Sequence, residues 1–568
     1  MRIARWLLIL SVLPLIMSAC QKAGDDVADT VLLNGSFWTA EPSQPWAEAV
    51  AVDGERILRL GRTADIKKLV GTKTRVKDLG GALVLPGFID CHTHFLKGGF
   101  SLSSIQLRDV TSREEFVRRV EVKAQELEDG EWILEGNWDH EQMTPVELPR
   151  KEWIDTVSPK NPVCVSRYDL HIVLANSRAL EIGGITRSTK SPDGGEIQKD
   201  PVTGEPTGIL RDAAIDLVMR HIPEPSIKTR VKAAEAALRH ARELGVTSVH
   251  DMADASNYGA SFEVYQELLK EGKLTARIYF YIPIDDIDFL DKLRLKSPYG
   301  NGWLSIAGLK GFADGGLGAS TAYFFEPYSD NPKNSGLLAP QMFPEGIMEK
   351  RLEQADKDGL QVAIHAIGDR ANAIILDIFK SIAARNGPRD RRWRIEHAQH
   401  LRPEEIKLFG ELGVIASVQP FHAIDDGRWA EAKIGMERCR TTYAFKSLLD
   451  AGATLALGSD WPVAPLNPLI GIYAAVTRQT TDGKNPGGWF PEQKLSLEEA
   501  IKGFTLDGAK TEFSEGEKGS LAEGKLADLV VLDQNLFEIT LEKIKDVRVN
   551  LTIVGGKIVY DRTESADK

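Results

Sequence analysis

Two histidines stand two positions apart in the segment Asp90-Cys91-His92-Thr93-His94. The apolar residues 83–89 precede them and predict a β-strand, in which side chains two positions apart point to the same side. His92 and His94 could therefore bind one metal ion together. A histidine pair at this spacing also arises by chance, so the interpretation depends on further ligands elsewhere in the chain.

Three further candidate ligands follow apolar, strand-like segments: His365, His397 and Asp460. Imidazole and carboxylate groups are suitable ligands for zinc or a similar divalent ion. Lys310 lies in another such segment, but a free ammonium group would repel a cation. It can act as a ligand only as the carbamate formed with carbon dioxide, which could bridge two ions. The alternative is that these histidines are core residues, which does not readily explain their alignment at strand ends.

The segments that carry these residues alternate with helical stretches, which is the pattern of a parallel α/β fold. Eight strands are predicted, at residues 84–95, 247–252, 277–282, 308–314, 361–366, 392–398, 414–419 and 454–460. Eight strands with intervening helices predict a (β/α)8 barrel of the TIM type. Because the active sites of such barrels form at the carboxyl ends of the strands, we expect the candidate ligands to meet at one rim.

The chain on either side of this predicted barrel has a different pattern. Short alternating apolar segments separated by turns occupy residues 28–85 and recur at 515–563, which predicts one small β-sandwich domain built from both ends of the chain. The barrel then extends over 86–514. Its first two strands are too far apart for one connecting helix, so we expect an inserted subdomain at about 100–235 that could cover the active site.

The N-terminus predicts export. Arg2 and Arg5 precede an apolar run at residues 6–17 that is too short to span a bilayer, so residues 1–19 are interpreted as a signal peptide. The run ends in Met17-Ser18-Ala19-Cys20, which resembles a bacterial lipobox with Met17 in place of the usual leucine. We expect lipidation of Cys20 and a tether at 20–27, which would give a periplasmic lipoprotein held to the membrane only by this anchor. The alternative is a plain secretory signal cleaved nearby.

The composition limits the remaining classes of function. The formal net charge of −12 offers no basic surface for phosphate backbones, so nucleic acid is not an expected partner. The content of 42% hydrophobic and 27% charged residues is that of an ordinary folded protein. Four cysteines without a C-x-x-C spacing support neither a disulfide framework nor a thiolate zinc site.

Several of these segments together resemble the amidohydrolase superfamily, in the branch of N-substituted formamide deformylase and YtcJ-type proteins (amidohydrolase family 3). The motifs that carry the resemblance lie at residues 85–94, 309–315, 365–371, 394–399, 458–463 and 519–528. They span nearly the whole mature chain. The resemblance implies three groups of ligands: His92, His94 and Asp460 at the more buried ion, His365 and His397 at a second ion, and Lys310 bridging both as a carbamate.

The resemblance extends to residues 167–180 of the insertion, where Leu170 stands in place of a family glycine. Five residues are expected to contact the substrate: His171, Asp169, Arg370, His422 and Trp461. His171 is expected either to donate a hydrogen bond to a substrate carbonyl or to be structural. Arg370 is expected either to orient a ligand or to form a salt bridge at the rim of the barrel.

These observations predict a metal-dependent amidohydrolase that cleaves an amide-type carbon–nitrogen bond, other than a peptide bond, in a small molecule. One or two divalent ions, with zinc as the expected metal, would activate water as hydroxide and polarise the substrate carbonyl. Asp460 is the candidate for passing the proton to the leaving nitrogen, with His171 as a second catalytic candidate. The alternatives are a deaminase or cyclic-amide hydrolase of the same superfamily and a non-catalytic binding lipoprotein on this scaffold.

Overall fold

The computed structural model describes residues 27–102, 104–252 and 258–565. The predicted signal peptide, Cys20 and all of the predicted tether except Val27 lie outside the described residues. Within the described ranges, no helix combines the length and the apolar character needed to cross a bilayer. The three cysteines in these ranges, Cys91, Cys164 and Cys439, are buried and form no disulfide.

The described part of the chain begins with short strands, most of whose apolar side chains are buried, with Trp46 and Val76 as exposed exceptions. They are β1 (Thr30–Leu33), β2 (Ser36–Trp38), β3 (Trp46–Ala47), β4 (Ala49–Asp53), β5 (Arg56–Gly61), β6 (Arg75–Asp78) and β7 (Leu83–Pro86), with helix α1 (Thr63–Ile66) between β5 and β6. Strand β8 (Phe88–Thr93) and helix α2 (Phe95–Ser101) follow. The predicted strand 84–95 is therefore two strands, because β7 and β8 belong to different sheets on either side of Gly87. A Cβ atom at Gly87 would lie 2.4 Å from the side chain of Thr247, so this crossing needs a glycine.

The predicted insertion after the first barrel strand forms a separate five-stranded sheet in the order β12-β13-β11-β10-β9. Its strands are β9 (Ile133–Trp138), β10 (Val163–Arg167), β11 (Ile172–Ala175), β12 (Gly195–Lys199) and β13 (Pro206–Asp212). Its helices are α3 (Arg113–Glu126), α4 (Lys151–Ile154), α5 (Ser177–Ile182) and α6 (Asp216–Met219). Helix α3 packs Phe116 and Val120 into an apolar core shared with the sheet, so the insertion is held together by its own hydrophobic contacts.

The barrel continues with β14 (Val246–Met252), β15 (Arg277–Pro283), β16 (Tyr299–Gly300), β17 (Leu304–Phe312), β18 (Gln361–Ala366), β19 (Arg394–His397), β20 (Ile415–Val418) and β21 (Leu455–Leu457). Eight of these barrel strands, β8 included, run parallel in the order β8-β14-β15-β17-β18-β19-β20-β21, and β16 pairs antiparallel with β17. The backbone N–H of Asp460 donates to the carbonyl of His92 at 2.7 Å and closes the ring. The predicted (β/α)8 barrel is thus confirmed.

Helices cover the outside of the barrel, and α7 illustrates why they form. Ser226 caps its start by accepting a hydrogen bond from the Thr229 N–H, and alanines and Leu238, spaced three and four apart, face the core. The helices are α7 (Ile227–Glu243), α8 (Tyr258–Lys270), α9 (Ile287–Leu293), α10 (Ile347–Asp358), α11 (Asp369–Asn386), α12 (Pro403–Leu412), α13 (Pro420–Asp426), α14 (Ala430–Ile434), α15 (Met436–Cys439), α16 (Phe445–Asp450), α17 (Pro468–Thr477), α18 (Leu497–Gly503) and α19 (Leu506–Thr511).

The last elements are β22 (Leu529–Leu532), β23 (Val549–Val554), β24 (Lys557–Asp561) and α20 (Arg562–Ser565). They return to the N-terminal strands and form a six-stranded sheet in the order β24-β23-β22-β7-β2-β3. A second sheet has the order β5-β4-β1-β6, and apolar residues of both sheets share one core. The predicted small β-sandwich from both ends of the chain is confirmed.

Candidate metal centre

Three candidate ligands converge where β8 and β21 meet. Nε2 of His92 and Nε2 of His94 each lie 3.4 Å from Oδ1 of Asp460. Two ligand atoms on a tetrahedral zinc ion with bonds of about 2.1 Å lie about 3.4 Å apart. Asp460 Oδ1 is buried, both separations are long for a hydrogen bond, and no other donor among the described residues reaches it. The three side chains therefore fit one divalent ion.

The backbone of Asp460 is unusual and explains how its carboxylate reaches the histidines. Its φ of 63° is left-handed, a conformation that non-glycine residues adopt rarely. His397 has a φ of 72° at the end of β19. Residues held in such conformations concentrate at functional sites because the surrounding structure must enforce them. Here they turn one side chain at each of two strand ends into the same space.

A buried carboxylate orients His92. Nδ1 of His92 lies 2.6 Å from Oε2 of Glu396. Burial would raise the pKa of Glu396, but the Arg394 guanidinium and His92 outweigh burial and hold this pKa well below its ordinary value. An ionised carboxylate only accepts hydrogen bonds, so Nδ1 of His92 carries the hydrogen and Nε2 presents its lone pair toward Asp460. Burial and the nearby charge of Lys310 lower the pKa of His92 to about 4, which keeps the ring neutral.

A second group of atoms that could hold an ion comprises His397, His422 and Asp460. Nδ1 of His397 donates to Gln419 Oε1 at 2.8 Å, which leaves its Nε2 free as a ligand. Nε2 of His422 is buried, has no hydrogen-bond partner in the part of the chain that the structure describes, and lies 3.9 Å from Asp460 Oδ2. The sequence assigned His422 to the substrate, whereas the geometry places it among possible ligands.

The ring of His365 lies beside that of His397, but its Nε2 points toward a neighbouring loop. Its ring centroid lies 4.5 Å from that of His397, as expected for two residues at neighbouring strand ends. Its Nε2 donates to the carbonyl of Gly315 at 3.3 Å and lies 3.6 Å from Asp314 Oδ1. The structure thus brings the predicted pair of His365 and His397 together, with the Nε2 of His365 engaged by the loop after β17.

Lys310 extends from β17 into this cluster. Its side chain is buried, and Nζ lies 4.7 Å from the ring centroid of Phe312 without a hydrogen-bond partner among the described residues. Burial lowers the pKa of Lys310 to about 8, so about one tenth of the amine is neutral at pH 7, far more than for an exposed lysine. A buried amine without a partner is costly, and bound ions with a carbamate between them would relieve that cost.

A cavity of about 260 Å³ lies directly above these residues. All six predicted ligands line it, as do three of the residues predicted to contact substrate, His171, Asp169 and His422. Apolar walls come from side chains that include Phe312, Leu317, Ile367 and Val463. The site therefore lies at the carboxyl ends of the barrel strands, under the inserted subdomain.

The inserted subdomain places His171 over the cavity. Nδ1 of His171 donates to Asp212 Oδ1 at 2.7 Å. Burial would lower the pKa of His171, but the hydrogen bond and charge of Asp212 outweigh burial and raise it to about 9. The preceding Leu170, which replaces a family glycine, has a left-handed φ of 62°. The loop therefore keeps the backbone shape that a glycine would adopt without strain.

Two residues predicted to contact substrate are not among those that line the cavity. The guanidinium of Arg370 lies 4.7 Å from the ring centroid of Tyr323 and stacks on that ring. Trp461 is buried against α2, where its ring lies 5.9 Å from that of Phe95 and would collide with a Cβ atom at Gly98. Arg370 thus packs beside the site, and Trp461 packs behind it.

Sequence reasoning missed the residues that support the ligands. Glu396 and Arg394 precede His397 in the strand, and their spacing of two is a signal that both face the barrel interior. Gln419 directly follows β20 and lies two positions after Ser417, so the same spacing places both on the interior side. Asp212 lies in the insertion, 41 positions after His171, and no local pattern connects the two.

The known proteins that are similar to this chain over nearly its full length include the following three. Protein LONG AFTER FAR-RED 3 of Arabidopsis thaliana is 42% identical over 94% of this chain and 92% of its own length. The putative amidohydrolase YtcJ of Bacillus subtilis (strain 168) is 32% identical over 93% of this chain and 99% of its own. N-substituted formamide deformylase of Arthrobacter pascens is 26% identical over 94% of this chain and 99% of its own.

A solved structure agrees with these matches. The crystal structure of an uncharacterized metal-dependent hydrolase from Pyrococcus horikoshii OT3 superposes with a TM-score of 0.73 at 28% identity, covering 90% of this chain and 99% of that one. The model of the amidohydrolase family matches residues 75–560, which include the whole barrel and the insertion. The resemblance inferred from the motifs is confirmed, and the chain belongs to the amidohydrolase family.

Proposed function

We propose that this protein is a metal-dependent hydrolase that cleaves a carbon–nitrogen bond, other than a peptide bond, in a small molecule. The observation that carries the proposal is the convergence of His92 and His94 on one oxygen of Asp460, each at 3.4 Å, on the floor of the cavity. The similarity to N-substituted formamide deformylase supports the choice of a non-peptide carbon–nitrogen bond.

The ligand set favours zinc or a similar divalent ion. His92, His94 and Asp460 would hold the first ion, and His397 would hold a second with His365 or His422, bridged by Lys310 as a carbamate. Such ions supply the acidity that activates water at neutral pH and the positive charge that polarises a carbonyl oxygen. The buried and neutral imidazoles suit this role because a charged imidazolium cannot act as a ligand.

Asp460 is the group that moves the proton. Burial would raise the pKa of Asp460, but His92, His94 and His397 outweigh burial and hold it well below its ordinary value, so the carboxylate is ionised at neutral pH. Its Oδ1 faces His92 and His94, and its Oδ2 lies on the side of His422. The carboxylate can accept a proton from the attacking water and release it to the leaving nitrogen within the same cavity.

His171 is the group that binds the substrate carbonyl. It lines the cavity from the side of the insertion, and its ring centroid is 6.2 Å from that of His365. Because Nδ1 donates to Asp212, the protonated ring presents a second N–H at Nε2. This donor can stabilise the negative charge that develops on the carbonyl oxygen during attack.

The decisive experiment measures metal content and activity in the same preparations. We expect zinc in the purified protein, and we expect His92→Ala to lower both zinc content and activity. His400→Ala is the control because His400 is similarly buried and lies outside the cavity lining. Its ring bonds to Thr442 and accepts from Nε2 of Gln399, and neither partner is a candidate ligand. Full zinc content and full activity in His92→Ala would overturn the proposal.

The substrate class is assigned by a panel of compounds tested with the zinc-loaded protein. The panel contains N-substituted formamides, N-acylated amino acids, cyclic amides and amino-substituted heterocycles. Turnover of the first two groups is the expected outcome. Turnover confined to the rings would instead identify a cyclic-amide hydrolase or a deaminase, and saturable binding by metal-free protein without turnover would identify a binding protein.

We also propose that the protein is an exported lipoprotein, on the sequence of residues 1–20 alone. Expression of the full chain in a bacterial host with labelled palmitate is expected to label the wild type and not Cys20→Ala. Label retained by Cys20→Ala would contradict the proposal.

A further inference from the structure

The guanidinium of Arg394 lies inside the barrel beneath the candidate metal centre and is completely buried. It donates from Nη2 to the carbonyl of Cys91 at 2.5 Å and to Ser417 Oγ at 2.9 Å. It donates from Nη1 to His250 Nδ1 at 2.7 Å and to Tyr281 Oη at 2.8 Å. These four partners belong to β8, β20, β14 and β15, so one side chain of β19 connects four other strands of the barrel.

Arg394 also holds the carboxylate that orients His92. Its Nε lies 2.8 Å from Oε1 of Glu396, and its Nη2 donates to Oε2 at 3.2 Å. The two residues are two positions apart on β19 and therefore face the same side of the strand. Oε2 of Glu396 in turn accepts the hydrogen bond from Nδ1 of His92 at 2.6 Å.

We propose that Arg394 is a positioning residue of the metal centre, which fixes Glu396 and thereby fixes the tautomer and ring direction of His92. This inference rests on the proposed function, because it requires an ion at His92. None of the hydrogen bonds that Arg394 makes within the described residues goes to the side chain of a candidate ligand. Its effect on the ion passes through Glu396, with a second contact at the carbonyl of Cys91, the residue before His92. Partners of this kind commonly tune metal affinity by about 10- to 100-fold.

The geometry requires arginine rather than any cation. A guanidinium is planar and carries five N–H donors in a fixed fork, whereas an ammonium is a compact charge with three donors. Arg394 uses its donors on five partners that lie around the ring of strands. Lysine would keep the positive charge but could not donate most of these hydrogen bonds. Glu396 would then be free to rotate away from His92.

A second buried ion pair provides a matched control. Arg277 on β15 is also buried, and it pairs with Asp528 through two contacts, from Nε at 2.7 Å and from Nη2 at 3.0 Å. Asp528 directly precedes β22 and also accepts a hydrogen bond from the Gly555 N–H, so this pair ties the barrel to the β-sandwich. Neither Arg277 nor Asp528 is connected to His92 by the hydrogen bonds described above.

The test is the affinity of the full chain for Zn²⁺, measured by competition with a chromogenic chelator. Arg394→Lys and Glu396→Gln are expected to weaken Zn²⁺ binding by about 10- to 100-fold. Arg277→Lys and Asp528→Asn are expected to leave the affinity within about threefold of the wild type, since they lack a link to a ligand. The double variant Arg394→Lys/Glu396→Gln is expected to bind no more weakly than the weaker single variant, because both act on the same ring.

The absorption spectrum of bound Co²⁺ gives an independent readout, since it reports ligand geometry, and Arg394→Lys is expected to change it. A wild type that binds no Zn²⁺ would overturn the proposed function itself. If the wild type binds Zn²⁺, two results would overturn only this inference. In the first, Arg394→Lys binds Zn²⁺ as tightly as the wild type. In the second, Arg277→Lys loses as much affinity for Zn²⁺ as Arg394→Lys does.

If Arg394→Lys does not fold, Ser417→Ala decides the question. It removes one acceptor of Arg394 with little loss of volume, and Ser158→Ala is its control in the insertion, where Ser158 is equally buried. A several-fold loss of Zn²⁺ affinity in Ser417→Ala alone supports the inference. Equal affinities in the two variants contradict it.

Discussion

His171 donates a hydrogen bond from Nδ1 to Oδ1 of Asp212 over 2.7 Å, and this contact joins the loop before β11 to the end of β13 above the cavity. The pKa of this ring is raised, whereas burial lowers the pKa of four other imidazoles that line the cavity, those of His92, His365, His397 and His422. Its position on the insertion separates substrate binding from metal binding, since the six predicted ligands all lie on the barrel. The two roles can therefore be tested independently.

Replacing His171 removes the proposed donor to the substrate carbonyl. His171→Gln is expected to lower kcat/KM by about 100-fold or more while zinc content stays unchanged. His221→Gln, in the same insertion but exposed, is expected to have no effect on either quantity. The measurements are steady-state kinetics with the substrate identified by the panel and zinc by elemental analysis. Loss of zinc in His171→Gln would instead make this residue part of the metal centre.

Asp212 sets the pH range in which His171 is charged. The folded pKa of about 9 lies above the ordinary value, so the protonated donor is present below that pH and is lost as the pH rises through it. Asp212→Asn removes the main group that raises this pKa, while Asp169 and Asp314 still contribute. The alkaline limb of kcat/KM is therefore expected to move to lower pH in Asp212→Asn. An unchanged limb would show that it belongs to another group.

Lys310 is predicted to bridge two ions as a carbamate, formed when the neutral amine adds carbon dioxide and releases a proton. Lys310→Ala is expected to lower zinc content by about one equivalent per chain and to lower activity. Acetate is expected to restore part of the activity, because its carboxylate fits the space that the side chain leaves. Lys310→Arg, which cannot form the carbamate, is expected to lose activity without recovery in acetate. Full zinc content in Lys310→Ala would contradict the bridging role.

Leu170 has a left-handed backbone conformation, which is strained for leucine and unstrained for glycine. Leu170→Gly and Leu170→Ala both lose the part of the leucine side chain beyond Cβ. They differ only in the Cβ atom, which alanine keeps at a φ of 62°. We expect Leu170→Gly to be more stable than Leu170→Ala by about 1 kcal/mol in denaturant unfolding. At Leu174 on β11 the order is expected to reverse, with glycine about 0.5–1 kcal/mol less stable than alanine. If the glycine variant were the more stable, or the less stable, at both positions, the result would contradict backbone strain at Leu170.

Gly316 allows the loop after β17 to approach His171 closely. A Cβ atom at position 316 would lie 2.8 Å from Cδ2 of the imidazole, so Gly316→Ala must displace that ring or the loop. We expect kcat/KM to fall by about tenfold or more, with zinc content unchanged. Gly259→Ala in α8 is the control, since a Cβ atom there meets nothing within 4 Å. A kinetic effect of equal size in Gly259→Ala would argue against displacement of His171.

The convergence of the six predicted ligands was predictable because each follows, or lies in, a buried parallel strand. Parallel strands of one barrel end at the same rim, so an apolar run followed by histidine or aspartate is enough to place the residue there. The terminal β-sandwich was predictable for a similar reason, since its alternating apolar pattern recurs at both ends of the chain. These features depend on local periodicity, which a sequence displays directly.

Side-chain direction at the same strand ends was decided only by the tertiary structure. Asp460 lies beyond the end of β21 with a left-handed φ and faces the histidines, while Trp461 packs against α2, although the sequence predicted both residues to line the site. His397 and Glu396 both reach His92, although successive residues of a regular strand point to opposite sides. Periodicity alone cannot predict such departures.

The supporting partners show the same division between sequence and structure. The sequence by itself determined the family, the barrel and the set of residues at its rim, because these follow from residue type, spacing and burial. Only the fold brought Glu396 to His92 and Asp212 to His171, across separations of 304 and 41 residues. Such contacts depend on how whole elements pack, and no short segment of the chain carries that information.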